Sequence, residues 1–202
     1  MTVAVVDSGG ANIASVIHAL RRLGVEPLFT ADAAVIRAAD RVVLPGVGAA
    51  GHAMEVLARH GLVDVIRGLR QPVLGICLGM QLLFEASEED DARLIGLIPA
   101  RLQRLPEAPG LRIPHMGWNT VREEWPDPLT DGLDGGWFYF VHSYAAPVGD
   151  WTLSSCTHGQ PFSAIVRQGN FRGAQFHPER SAGAGAELLR RFVEGAGEAE
   201  AA

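Results

Sequence analysis

The chain of 202 residues contains no lysine; all 17 of its basic residues are arginine. That absence excludes a Schiff-base lysine, and with it covalent pyridoxal-phosphate chemistry. Set beside the abundance of alanine, it reads as a bias of base composition rather than as chemistry. Cysteine is scarce too. Cys77 and Cys156 are the only two, too few for a disulfide framework, and both are expected to be reduced thiols. There is no CxxC pair and no HExxH run, and the seven histidines are scattered, so neither a metal site nor a cofactor is expected. No apolar stretch is long enough to span a membrane, and the opening residues read as a strand rather than a signal peptide, so a cytoplasmic protein with no membrane partner is expected. Acidic residues number 23 against 17 basic, for a net charge of −6. A polyanion such as nucleic acid is therefore not an expected partner.

What is present is an ordinary globular composition, 48% apolar and 20% charged, with length enough for one α/β domain over residues 1–202. The first half alternates strand and helix. Strands are expected at 2–7, 25–30, 40–46 and 71–77. Helices are expected at 12–24, 32–40, 50–70 (with a break at Gly61) and 78–87. On the first helix, Ile13, Val16, Ile17, Leu20 and Leu23 share one face, Asn12 can cap the start, and Gly24 follows the end. This order predicts an open, mostly parallel central sheet flanked by helices, with right-handed crossovers. The second half is rich in antiparallel β structure. Strands are read at 101–105, 137–144, 151–157, 162–168 and 171–177, with hairpin signals at His158-Gly159 and Gly169-Asn170. A last helix spans 183–197, and residues 196–202 are read as a frayed tail.

The stretch "LGICLGMQLLF" places Cys77 between Gly75 and Gly79, where an apolar strand meets a helix. Gly-x-Cys-x-Gly at such a corner is the cysteine form of a nucleophile elbow. The glycines leave room for a tight turn, which lifts the sulfur over the C-terminal edge of the sheet. The helix N-terminus beside it favours a thiolate. The alternative is a buried cysteine packing as a small hydrophobe. A thiolate nucleophile needs a base and the base an orienter. "QFHPE" supplies His177 and Glu179, two apart, on one side of an extended segment. Acyl chemistry also needs oxyanion donors. The backbone N–H groups of Leu78 and of Val47, in the loop Pro45-Gly46-Val47-Gly48, are the candidates. That loop is not a Walker loop, because GK[ST] is missing. Cys156 has neither an elbow nor an oxyanion loop and reads as structural. Gly-x-Gly near the C-terminus follows the last strand and is not read as a nucleotide site.

Together, "PGVGA" (45–49), "GICLGMQ" (75–81), "PHMGWN" (114–119), "YFVHSY" (139–144) and "FHPE" (176–179) resemble the class I, triad-bearing glutamine amidotransferases. Within that family they are most similar to the glutaminase subunits of imidazole glycerol phosphate synthase, from Val3 to about Leu189. The resemblance implies hydrolysis of L-glutamine to glutamate and ammonia through a thioester on Cys77. It implies a heterodimer with a (β/α)8-barrel cyclase, which receives the ammonia and makes imidazole glycerol phosphate and aminoimidazole carboxamide ribotide in histidine biosynthesis. It assigns Gly46, Gly48, Gln81, His142, Ser143 and Tyr144 to the glutamine-binding shell, and Glu89 to the substrate's amino group; Glu89 can equally be a solvated charge. It assigns Asn12, Trp118, Tyr139 and Arg180 to the cyclase interface, against the alternatives of a helix cap for Asn12 and core aromatics for Trp118 and Tyr139. It further implies that the free subunit is slow until the cyclase, holding its own ligand, reorients the oxyanion loop. The sequence departs from the family pattern at Ser8, where an aromatic residue is common, at Ala50, where phenylalanine is usual, and at Arg180, where lysine is usual. A glutaminase serving a different synthase, or a regulatory subunit with a relic triad, remains the alternative.

Overall fold

The computed structural model describes residues 1–10 and 13–195. The expected helix cap at Asn12 and the expected frayed tail at 196–202 lie outside the described residues. The chain runs β1 (Val3–Val6), α1 (Ile13–Arg22), β2 (Leu28–Thr30), α2 (Ala33–Ala38), β3 (Arg41–Leu44), α3 (Ala50–Arg59), α4 (Leu62–Arg67), β4 (Val73–Ile76), α5 (Leu78–Gln81) and β5 (Phe84–Ser87). It continues through β6 (Ile98–Arg104), β7 (His115–Thr120), β8 (Arg122–Glu123), β9 (Trp137–His142), β10 (Tyr144–Ala145), β11 (Thr152–His158), β12 (Gln160–Gln168), β13 (Phe171–Ala174) and α6 (Ala182–Glu194).

One eight-stranded sheet has the order β2-β1-β3-β4-β13-β12-β11-β8. The five strands from β2 to β13 run parallel, and β12, β11 and β8 continue the sheet antiparallel. The parallel strands β1, β3, β4 and β13 are buried on both faces, as helices on either side require. Val3 and Val5 of β1 face one core with Val16 and Leu20 of α1 and Leu188, Leu189 and Phe192 of α6. Ala4 and Val6 face the other, with Ile36 of α2, Leu57 of α3 and Leu62 and Ile66 of α4. Each such fully buried aliphatic side chain contributes roughly 1.5–3 kcal/mol, which holds helices too short to persist alone. Gly61 breaks the third helical stretch into α3 and α4 at φ +65°. The turns at Gly159 and Gly169 join β11 to β12 and β12 to β13.

The helix expected over 78–87 is corrected. It ends after one turn at Gln81, and Phe84–Ser87 is a strand paired parallel with β6, Phe84 opposite Ile98. Phe84 and Ser87 point inward while Glu85 is exposed. An apolar run this short does not separate helix from strand by periodicity. "PHMGWN" also proves to be mostly strand. It forms β7, which pairs antiparallel with β9 as a two-stranded ribbon from His115 opposite His142 to Thr120 opposite Trp137.

The carboxyl ends of β3, β4 and β13 lie side by side. The loop 45–48, Cys77 and the 175–179 segment therefore converge on one edge of the sheet, the edge at which open α/β sheets bind their ligands.

Candidate active site

Cys77 sits at the corner between β4 and α5 with φ +52° and ψ −108°, a backbone conformation costly for a residue with a side chain. The corner is over-determined by its surroundings. Cys77 N–H donates to Ala174 O at 2.8 Å, and Cys77 O accepts from Gln81 N–H at 3.1 Å. A Cβ on Gly75 would come within 2.6 Å of Gly79 O, and one on Gly79 would overlap the carbonyl oxygen of Leu44. Both glycines are therefore required by close packing of α5 on β3 and β4, and the strained backbone at Cys77 aims its thiol off the sheet edge.

His177 follows β13 by three residues. Its Nδ1 lies 2.8 Å from Oε1 of Glu179, with both side chains almost wholly buried. The other ring nitrogen, Nε2, is buried and, among the described residues, makes no hydrogen bond of good geometry. Burial, the largest influence on His177, pulls its pKa down; the Cys77 sulfur and the Glu179 carboxylate together outweigh it and push it up to about 10. The imidazolium is thus the form these neighbours favour, the charge state that stabilises an adjacent thiolate.

A cavity of about 280 Å³ opens over Cys77. Its wall brings together Val47, Gly48, Cys77, Leu78, Gln81, Glu89, His142, Ser143, Tyr144 and His177. Gly46 is not in that wall; its carbonyl accepts the Leu78 N–H at 3.3 Å. One expected oxyanion donor is therefore engaged by the loop meant to supply the other. Gly48 in that loop has φ +104°. Glu89 Oε2 accepts from the Ala50 N–H at the start of α3, at 2.8 Å. Ser8, for its part, is buried and its hydroxyl donates to Pro45 O at 2.8 Å, tying the first loop to the second.

The glutamine amidotransferase class-I family model matches residues 4–196. The chain belongs to that family. It is 52% identical over 193 residues, 95% of this chain and 96% of the relative, to the imidazole glycerol phosphate synthase subunit HisH of Xylella fastidiosa. The identity is the same over the same shares to the HisH subunit of Xanthomonas euvesicatoria, and 52% to that of Idiomarina loihiensis over 96% of this chain and 98% of the relative. The fold is shared with a solved glutamine amidotransferase (TM-score 0.74, 21% identity, 96% of this chain and 98% of the other). It is also shared with a putative GMP synthase protein from Thermoplasma acidophilum (TM-score 0.72, 22% identity, 96% and 92%).

Several residues at this cavity stand inside or beside the quoted motifs but are given no role by them. Pro114 and Val141 line the cavity, and Val141 O lies 3.9 Å from the Cys77 sulfur. Gln175 is fully buried behind Cys77, its Nε2 3.9 Å from Sγ and its Oε1 accepting from Gln81 Nε2 at 3.0 Å. Its place two residues before His177 in an extended segment, on the same side, is the one signal that could have found it. Ser181 accepts from Tyr139 N–H at 3.0 Å and donates to His177 O at 2.6 Å, clamping β9 to the turn that carries the histidine; nothing in the sequence marks it.

Trp118 and Tyr139 face each other across the β7–β9 ribbon, rings edge to face at 6.1 Å. Trp118 is not a core aromatic: it is 49% exposed, with Met116 at 64% and Trp137 at 58% on the same ribbon. Arg180 is exposed on the short turn Pro178–Arg180. Asn12 lies outside the described residues. A second hollow of about 450 Å³ is lined by Cys156, Asn119 and Thr157 among others. Burial pushes the Cys156 thiol up to about 12, so it stays protonated and is no nucleophile.

Proposed function

We propose that this amidotransferase is the glutaminase subunit of an imidazole glycerol phosphate synthase. The observation that carries the glutaminase chemistry is the strained Cys77 corner facing a cavity shared with His177, itself paired to buried Glu179. The similarity to HisH subunits over 95% of the chain supports the synthase. In this reading Cys77 is the nucleophile, His177 the acid and base, and Glu179 the orienter. The thiolate attacks the side-chain carbonyl carbon of L-glutamine, and the C–N bond breaks as His177 gives its proton to the departing nitrogen, releasing ammonia. Water then attacks the γ-glutamyl thioester while His177 takes its proton; glutamate leaves and the thiolate returns. Gly48, Gln81, Glu89 and the His142–Tyr144 backbone hold the substrate, and no cofactor takes part.

Ammonia passes to a (β/α)8-barrel cyclase, which forms imidazole glycerol phosphate and aminoimidazole carboxamide ribotide. The outward face of the ribbon, with Trp118 and Tyr139, and the neighbouring Arg180 form the docking surface, together with Asn12. The Leu78 N–H bound to Gly46 O supports a low basal rate: the loop 45–48 must turn its peptide groups before two donors can face an oxyanion. Glutamate release measured on the chain alone, then with the cyclase subunit and that subunit's ligand, tests the reading. A rise of about a hundredfold or more is expected with the liganded cyclase. Equal, high turnover without it would remove the gating, and no turnover with it, in a folded chain, would point to a different synthase or a silent triad.

A further inference from the structure

The ring of His142, whose residue lines the cavity, and the buried ring of His115 form a hydrogen-bonded chain, and neither ring has yet been given a part. His115 Nδ1 lies 3.1 Å from His142 Nε2. His142 Nδ1 lies 2.9 Å from the carbonyl oxygen of Tyr144. On the other side, His115 Nε2 lies 3.2 Å from Nδ2 of Asn119, which also donates to Thr157 O at 3.0 Å.

The two ends of this chain fix its direction independently. A carbonyl oxygen only accepts, so His142 carries its proton on Nδ1 and presents a bare Nε2. The Thr120 N–H only donates, and it does so to Asn119 Oδ1 at 2.8 Å, so the asparagine amide nitrogen is the atom turned to His115. His115 Nε2 therefore accepts, its proton is on Nδ1, and that proton points at the bare Nε2 of His142. Both rings are neutral in this arrangement, since an added proton would set two donors face to face. Burial is the largest influence on each and lowers His115 to about 4 and His142 to about 3. Stacking on Phe140 and His158 keeps the His115 ring in place.

The chain continues to the nucleophile. Tyr144 O accepts a second bond, from Gln81 Nε2 at 2.9 Å. Gln81 also donates to Gln175, whose own amide nitrogen approaches the Cys77 sulfur. We propose that His115 is a positioning residue: by donating to His142 it selects the Nδ1–H tautomer and so holds the Tyr144 carbonyl, and with it Gln81, in place for glutamine. The inference rests on the reading of this cavity as the glutamine site. Without the His115 donor, His142 is free to move its proton to Nε2, and Tyr144 O then faces a bare nitrogen.

The test uses the full chain with its cyclase subunit, and three variants. His115→Phe keeps the ring and removes the donor. His115→Asn places an amide nitrogen where Nδ1 was. His115→Gln places its polar end where Nε2 was. Nitrogen-15 NMR of the wild type is expected to show His142 protonated on Nδ1. His115→Phe is expected to raise the KM for glutamine about tenfold with kcat changed less than about threefold, and to mix the His142 tautomers. His115→Asn is expected to restore both, and His115→Gln neither. A wild-type His142 protonated on Nε2 would overturn the proposal, as would an unchanged KM in a folded His115→Phe, or equal behaviour of the asparagine and glutamine variants. If His115→Phe does not fold, the wild-type tautomer and the asparagine–glutamine pair decide. A wild-type complex that fails to hydrolyse glutamine would instead count against the glutaminase reading, while the tautomer measurement still decides the role of His115.

Discussion

At the scale of single residues, the site depends on charges that burial opposes. His177 is almost fully buried, yet Cys77 and Glu179 hold its proton up to about pH 10. Its folded pKa lies above the ordinary value, so the stability it contributes is fully present below about pH 6.5 and is lost as pH rises towards 10. NMR titration of His177 is expected to find it charged at pH 7 in the wild type, with a lower pKa in both Cys77→Ala and Glu179→Gln; a neutral His177 at pH 7 in the wild type would contradict the ion pair. Glu179→Gln is also expected to lower kcat by about a hundredfold or more in the cyclase complex, read from glutamate release. The three residues of this set were legible in the sequence because each is announced by local spacing: glycines two either side of a cysteine, and a histidine two before a glutamate. Ser181 and the direction of the His115–His142 chain were not, because their partners are brought together only by strand pairing.

At the scale of elements, close approach matters more than propensity. The four-residue α5 exists because Gly79 lets it sit against the Leu44 carbonyl. Gly79→Ala is expected to destabilise the fold by about 3 kcal/mol or more and to displace Cys77; chemical denaturation and alkylation rates check both. A variant as stable and as reactive as the wild type would mean that the corner is looser than this packing implies. The alternation of strand and helix up to β4 could be read in advance, since buried parallel strands are continuous apolar runs and Gly61 and Gly24 mark helix ends. The strand at 84–87 could not, because its pairing partner β6 lies beyond it in the chain and its own four residues fit either period. The Glu89 carboxylate, ambiguous in sequence between substrate contact and solvated charge, is bound to the first N–H of α3, just after the loop 45–48, which supports a structural share in that loop's placement.

At the scale of the whole molecule, the β7–β9 ribbon presents Met116, Trp118 and Trp137 outward. Exposed aromatics gathered on one face mark an interaction surface. Trp118→Ala is expected to weaken the cyclase complex by about thirtyfold, measured by calorimetry, with the fold unchanged; unaltered affinity would place the interface elsewhere. The two neutral histidines on the inner face of the ribbon also tie stability to pH on the acid side. Their folded pKa values lie below the ordinary value, at about 4 and about 3, so unfolding takes up protons and stability is lost as pH falls from about 6.5 towards 3. His115→Phe is expected to flatten that slope in denaturation curves, and an unchanged slope would remove this assignment. The measurement that bears most directly on the central claim is mass spectrometry of the amidotransferase, quenched in acid while turning over L-glutamine with its liganded cyclase. The account predicts one γ-glutamyl group on the peptide carrying Cys77, absent from Cys77→Ala and absent from the peptide carrying Cys156. A glutamyl group on Cys156, or steady glutamate release from Cys77→Ala, would contradict it.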